Sequence, residues 1–129
     1  MTKLTNKITV ITGGSGAIGS TTAKLFLAEG AKVVLVDINE SALSKVASEL
    51  NSPNVSFVAA DVTKTSDVQK YVQHTVNTFG KIDVFFNNAG IEGVVVPLTE
   101  YPEDAFDKLI NVNVKGVWMG LKYVLPQMN

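Results

Sequence analysis

The sequence contains no cysteine, which excludes disulfides, thiolate metal sites and a thiol nucleophile. That absence is compatible with a reducing compartment, and cytoplasm is the expected location. Arginine is missing too: all 11 basic residues are lysines, set against 12 acidic residues. The chain therefore lacks the planar fork best shaped to hold a phosphate or carboxylate through two bonds. Near-balanced charge leaves no basic field for nucleic acid and no polybasic patch for a membrane surface, so neither is an expected partner and a small molecule is. A long apolar run is also lacking. The one that follows Lys3 and Lys7 ends within a few residues at Gly13 and Gly14, too short for a signal segment or a membrane span. With one histidine and no cysteine, no metal site is expected. No repeat, low-complexity tract or linker divides the chain, so residues 1–129 are expected to be one domain with a real core, 46% of them hydrophobic.

What is present is an alternation of short β-branched runs with segments of helical period. Ile8 to Ile11, Val33 to Val36, Val55 to Val58 and Ile82 to Phe86 read as strands. They are apolar on both faces, the mark of parallel strands covered on each side by crossover helices. The stripes expected to face the sheet are Ile18, Thr22, Leu25 and Ala28 in the first crossover, and Leu43, Val46, Ala47 and Leu50 in the second. In the third they are Val68, Val72, Val76 and Phe79. Gly30 and Gly80 sit at helix-stop positions. Beyond a loop with Pro97 and Pro102, Phe106, Ile110, Val117, Leu121 and Val124 predict one final helix, with Gly116 and Gly120 placed for close packing. The expected fold is α/β, a Rossmann-like doubly wound parallel sheet of strand order 3-2-1-4.

The first strand runs into Thr12-Gly13-Gly14-Ser15-Gly16-Ala17-Ile18-Gly19, where Gly14, Gly16 and Gly19 satisfy G-x-G-x-x-G at a helix start. Such a turn lets a pyrophosphate reach free N–H groups at the positive end of the helix. Asp37 ends the second strand about 20 residues on, where a carboxylate accepts hydrogen bonds from the adenosine ribose. The same charge repels a 2′-phosphate, and neither Ser15 nor Ile38 offers a cation to offset it, so NAD is expected in preference to NADP. A second role for Asp37, capping the helix near Asn39 and Glu40, is open.

Together these segments resemble the short-chain dehydrogenase/reductase family over the whole chain. The glycine segment is similar to the family's T-G-x-x-x-G-x-G, with Ala17 at a position where glycine is commoner. Asp61-Val62, read as the end of the third strand, resembles the adenine-contacting pair, and Asn87-Asn88-Ala89-Gly90 matches N-N-A-G. The resemblance implies that Gly13, Ser15, Gly16, Ile18, Gly19, Asp37, Ile38, Asp61, Val62, Asn88, Ala89 and Gly90 contact the cofactor, and that Asn87 braces the sheet. By register, Asn113 in Asn111-Val-Asn113-Val-Lys115-Gly116 corresponds to the asparagine of the catalytic tetrad. The family's active-site serine and Tyr-x-x-x-Lys pair follow this helix. Neither is here, since Tyr71, Tyr101 and Tyr123 are followed four residues later by Thr75, Ala105 and Gln127.

The implied activity is hydride transfer between nicotinamide and a small alcohol or ketone, by an enzyme expected to be a homo-oligomer. Two other readings compete. A nucleotide-binding module without chemistry fits the literal 129 residues, which are expected to bind cofactor without turning over substrate. A hydrolase would use Gly13-Gly14-Ser15-Gly16-Ala17 as a near G-x-S-x-G, with His74 as its base. His74, however, sits on the polar side of the third crossover, where a solvated histidine is expected. Finally, Ile82 to Phe86 as an open sheet edge, together with the apolar last helix, predicts self-association.

Overall fold

The computed structural model describes residues 2–128. Strands β1 (Ile8–Thr12), β2 (Lys32–Asp37), β3 (Val55–Ala59) and β4 (Val84–Phe86) form one sheet of order β3-β2-β1-β4, all pairs parallel. Helices α1 (Ala17–Ala28), α2 (Glu40–Leu50) and α3 (Thr65–Phe79) make the crossovers. Every residue of β1 is buried, as a strand covered on both faces requires. The expected fold class and strand order are thus present.

Two cores lie on opposite faces of the sheet. One joins Val10, Val34, Val36 and Val58 to Val68, Tyr71 and Val72 of α3 and to Met119 and Val124 of the last helix. The other joins Ile11, Val33 and Leu35 to Ala23 of α1 and Leu43 of α2. The stripes of α2 and α3 face the sheet broadly as expected, but α1 is turned the other way. Ile18 and Leu25 are 67% and 59% exposed, while Gly19 and Ala23 are buried. The first turns of this helix approach the sheet through Gly19 and Ala23, where only small side chains fit, and Phe26 and Leu27 near its C-terminal end pack on the core in place of the expected Leu25.

β4 is shorter than expected: Ile82 and Asp83 precede it as an anchor. Asp83 N–H donates to Ile8 O at 2.8 Å, and Asp83 Oδ2 accepts from Ile8 N at 2.9 Å. That backbone bond first, and Lys81 at 3.2 Å beside it, hold the Asp83 carboxyl below its ordinary range. β3 also stops sooner. Its ladder ends where Ala60 N–H donates to Asp37 O, so Asp61 and Val62 lie beyond the strand rather than at its end.

The final helical rod is α4 (Glu103–Ile110), a π-helical segment (Asn111–Lys115), α5 (Gly116–Val124) and a closing 3₁₀ turn (Leu125–Gln127). Backbone angles at Ile110, Asn111, Lys115 and Gly116 are all right-handed helical, so the rod is continuous. The wider π turns rotate everything after them relative to α4. Val117 is therefore half-buried and Val124 fully buried, while Phe106, Ile110, Val114, Trp118, Leu121 and Leu125 carry the exposed apolar face. The expected stripe is thereby divided, with Val117 and Val124 turned inward and Phe106, Ile110 and Leu121 outward.

Gly116 and Gly120 do pack closely: a Cβ at Gly120 would stand 2.9 Å from the Phe85 ring and 3.1 Å from the Tyr71 hydroxyl. Tyr71 is fully buried, its hydroxyl has no partner among the described residues, and burial pushes that phenol far above its ordinary pKa. Tyr71→Phe keeps the ring and removes the stranded hydroxyl, so it should stabilise the fold by about 1 kcal/mol. Gly120→Ala should destabilise it by about 1–3 kcal/mol through overpacking. Urea melts of the two variants check both signs.

Candidate functional site

The carboxyl ends of the strands open onto a cleft of about 960 Å³. Its first wall is the turn from β1 to α1. Gly13 holds φ +67 and lies so close to the β4 exit that a Cβ there would be 2.9 Å from the Asn88 amide; at Gly19 a Cβ would be 2.2 Å from Gly13 O. Glycine at 13 and 19 is what lets α1 begin against the strand. Gly16 caps α1 without a side-chain bond, and among the described residues the amides of Ala17, Ile18 and Gly19 have no acceptor. Three open N–H groups at a helix N-terminus form an anion-binding end.

Asp37 closes this turn from the next strand. Its Oδ2 accepts from Ser15 N–H at 3.1 Å and from Ser15 Oγ at 2.5 Å, and its Oδ1 accepts from Ile38 N–H at 2.8 Å. The open alternative for this residue is resolved by α2, whose cap is Asn39, with Oδ1 accepting from Ala42 N–H at 3.0 Å. Asp61 turns the chain after β3, its Oδ1 accepting from Thr63 N–H at 2.9 Å and Thr63 Oγ1 at 2.6 Å. Burial pushes this carboxyl upward, but the two Thr63 bonds and Lys64 outweigh it and hold it below the ordinary carboxylate range.

Thr12, left out of the candidate residues, ties the walls together. It is fully buried, and its Oγ1 accepts from Asn88 N–H at 2.9 Å and Ala89 N–H at 3.0 Å. Asn88 Nδ2 donates in turn to Thr12 O at 3.2 Å. Its place as the first residue of the T-G-x-x-x-G-x-G-like segment was the available signal, but a threonine at a strand end is also an ordinary β-branched residue. Asn87 Nδ2 donates to Val117 O of α5 at 2.9 Å, bracing the sheet to the helix behind it. Asn113 lies in the π segment. Its Oδ1 accepts from Ile91 N–H at 2.8 Å and its Nδ2 donates to Ile91 O at 2.9 Å, so its amide clamps the loop after Gly90.

Gly13, Gly16, Ile18, Gly19, Asp37, Ile38, Asp61, Val62, Asn88, Ala89 and Gly90 all line the one cleft. Ser15 stands behind it through Asp37, and Asn113 reaches it through Ile91. Glu92, Asp104, Asp107 and Lys108 also line the cleft; the sequence marked their loop and helix for structure only, not for the site. No group of three or more histidine, cysteine or acidic side chains is placed to hold a metal among the described residues.

The family model for short chain dehydrogenases matches residues 7–129. The chain belongs to the short-chain dehydrogenase family. Levodione reductase of Leifsonia aquatica is 41% identical over 98% of this short-chain dehydrogenase chain and 49% of its own length. The solved structure of 3-ketoacyl-(acyl-carrier-protein) reductase from Brucella melitensis complexed with NADH superposes with a TM-score of 0.93 at 35% identity, over 97% of this chain and 51% of that one. NAD+-bound xylitol dehydrogenase gives 0.91 at 38%, over 98% and 49%. The chain thus spans about half the length of the relatives it matches. Family membership also decides against the hydrolase, and so does geometry: the Ser15 hydroxyl donates to Asp37, and His74 Nε2 is paired with Ser56 Oγ at 2.8 Å.

That pairing corrects the solvated position expected for His74. The ring is half-buried, and burial first, with nearby Lys70, depresses its pKa below the ordinary value of 6.5. In the window below about 6.5 the unfolded chain binds more protons than the fold. The contribution of His74 to stability is therefore complete above that value and lost as pH falls through it. Melting temperature should drop between about pH 7.5 and about pH 5.5, with a shallower drop in His74→Gln. Equal slopes for the two proteins would contradict this.

Proposed function

We propose that the chain forms the nucleotide-binding part of an NAD-dependent oxidoreductase that transfers hydride between a nicotinamide ring and a small alcohol or ketone. The observation that carries the reading is that three α1 amides without an acceptor among the described residues and the held carboxylate of Asp37 stand on one cleft wall. A bound dinucleotide supplies the hydride acceptor or donor; the chain's own residues bind and orient it. Ala17, Ile18 and Gly19 N–H groups take the pyrophosphate, and Gly13, Gly16 and Gly19 leave room for it. Asp37 and Ile38 take the adenosine ribose, and Asp61 and Val62 flank the adenine. Asn88, Ala89 and Gly90, set by Thr12, form the wall along which the nicotinamide half runs. Asn113 fixes the loop beside it and is the one member of the catalytic machinery within these residues.

NAD is preferred over NADP in this reading. The cleft lining carries Asp37, Asp61, Glu92, Asp104 and Asp107 against Lys108 alone, so an extra phosphate meets a negative field. The relatives' names, levodione reductase and xylitol dehydrogenase, support carbonyl and alcohol chemistry, with sugars, secondary alcohols and 3-oxoacyl thioesters as the substrate classes. Calorimetry should find NAD bound more tightly than NADP. Asp37→Ala should weaken NAD by about 1.5–3 kcal/mol, roughly 10- to 150-fold, and narrow the preference. Tighter NADP binding by the intact chain would reverse the assignment.

In the same reading the isolated chain binds cofactor without turnover, which is supported by the lack of a tyrosine hydroxyl at the cleft among the described residues. Tyr71 and Tyr101 have buried hydroxyls, and none of the three tyrosines lines the cleft. Purified chain should show no steady nicotinamide absorbance change with alcohols or ketones, since losing a positioned acid alone removes about 10²–10⁴ in rate. A cytoplasmic homo-oligomer is part of the proposal, supported by the cysteine-free composition and by the apolar face of the rod, where Trp118 is 56% and Leu125 55% exposed. Sedimentation at tens of micromolar should find self-association; a monodisperse monomer would count against it.

A further inference from the structure

We propose that Ser15 is a positioning residue for the ribose end of the cleft, acting through Asp37. The inference rests on the dinucleotide reading above and adds a coupling to it. The two oxygens of Asp37 have different surroundings. Oδ2 accepts twice from Ser15, from the amide at 3.1 Å and from the hydroxyl at 2.5 Å, whereas Oδ1 accepts once, from Ile38 N–H at 2.8 Å. A carboxylate offers about four acceptor directions. Both directions on Oδ2 are filled by Ser15 and one on Oδ1 by Ile38, which leaves a single direction, on Oδ1, for a donor on the ligand.

Asp37, Ile38 and Gly16 line the cleft and Ser15 does not, so the serine acts from behind the wall. Its hydroxyl bond is at the short end for a hydroxyl on an ionised carboxylate. Without it Asp37, at a half-exposed strand end, would keep only the two backbone bonds from residue 15 and Ile38, and a ligand would have to order it further on binding. Fixing the side chain beforehand removes that cost. The same bonds tie the turn that receives the pyrophosphate to the group that receives the ribose, so one residue sets the spacing between two subsites. With its proton committed to Asp37, the Ser15 hydroxyl has no donor to spare, and an added 2′-phosphate would find charge and lone pairs only.

The test is a double-mutant cycle read by calorimetry with NAD and NADP, on the chain and on Ser15→Ala, Ser15→Thr, Asp37→Ala and the Ser15→Ala/Asp37→Ala double variant. Ser15→Ala should weaken NAD about 3- to 10-fold, and Ser15→Thr, which keeps the hydroxyl, should stay near the parent. The double variant should bind NAD no more weakly than Asp37→Ala alone. The NAD/NADP ratio should fall in Ser15→Ala, because NADP makes no use of the bond. A residue that merely shapes the glycine turn would weaken both cofactors, by the same factor with or without Asp37; that additive result overturns the proposal, as does a silent Ser15→Ala. Failure of the parent chain to bind NAD removes the dinucleotide reading and the proposal with it. Sensitivity to Asp37→Ala with additive Ser15→Ala removes only the proposal.

Discussion

At the end of β1 the chain has to stop being a strand, turn, and begin a helix within a few residues, beside a second strand that leaves the sheet at the same level. The Thr12 hydroxyl holds these two exits together. It accepts from the amides of both Asn88 and Ala89, groups with no place in a strand ladder once β4 has ended at Phe86. A buried amide without an acceptor costs on the order of 1–3 kcal/mol; Asn88 and Ala89 are half-buried, so this side chain removes part of that cost and helps the two loops lie side by side. The glycine turn on one wall and the Asn88–Gly90 loop on the other depend on it for their separation. The cleft is the space left between them.

The rest of the site is backbone held by side chains from neighbouring segments. Asp37 closes the glycine turn through Ser15, Asp61 folds its own chain back through Thr63, and Asn113 clamps Ile91. In each case a polar side chain satisfies backbone groups that have left secondary structure, and among the described residues lining the cleft the first amides of α1 have no acceptor. These are the places where an anionic ligand has something to gain. The π segment belongs to the same scheme, since its wider turns set Asn113 at the Ile91 loop and turn Val124 inward against the α3 core.

Much of this was legible in the chain order. Four β-branched runs and the stripes of α2 and α3 specified a parallel sheet covered on both faces, and the spacing of Gly14, Gly16, Gly19 and Asp37 located one cleft wall. The failures have physical causes. The expected stripe of α1 faces outward because the inner face is Gly19 and Ala23, which allow close approach, followed by Phe26 and Leu27. Tyr71, a polar aromatic, is a core residue because Gly120 makes room for it. Asp61 fell outside the strand because its carboxylate prefers its own turn, and His74 was placed in solvent because its partner Ser56 lies 18 residues earlier, on β3.

Local sequence determined what could be decided within one turn or one strand: which segments are extended or helical, where glycine permits a turn, and that no cysteine or arginine chemistry is available. Tertiary structure alone decided which side chains meet. Thr12 with Asn88, Ser15 with Asp37, Asn87 with Val117 and Asn113 with Ile91 are separated in the chain by between 22 and 76 residues. Hydrogen bonds of that reach leave no periodicity behind them. They exist only once burial of the two apolar faces has brought the strand ends to one edge, because it is burial that removes water as the competing partner.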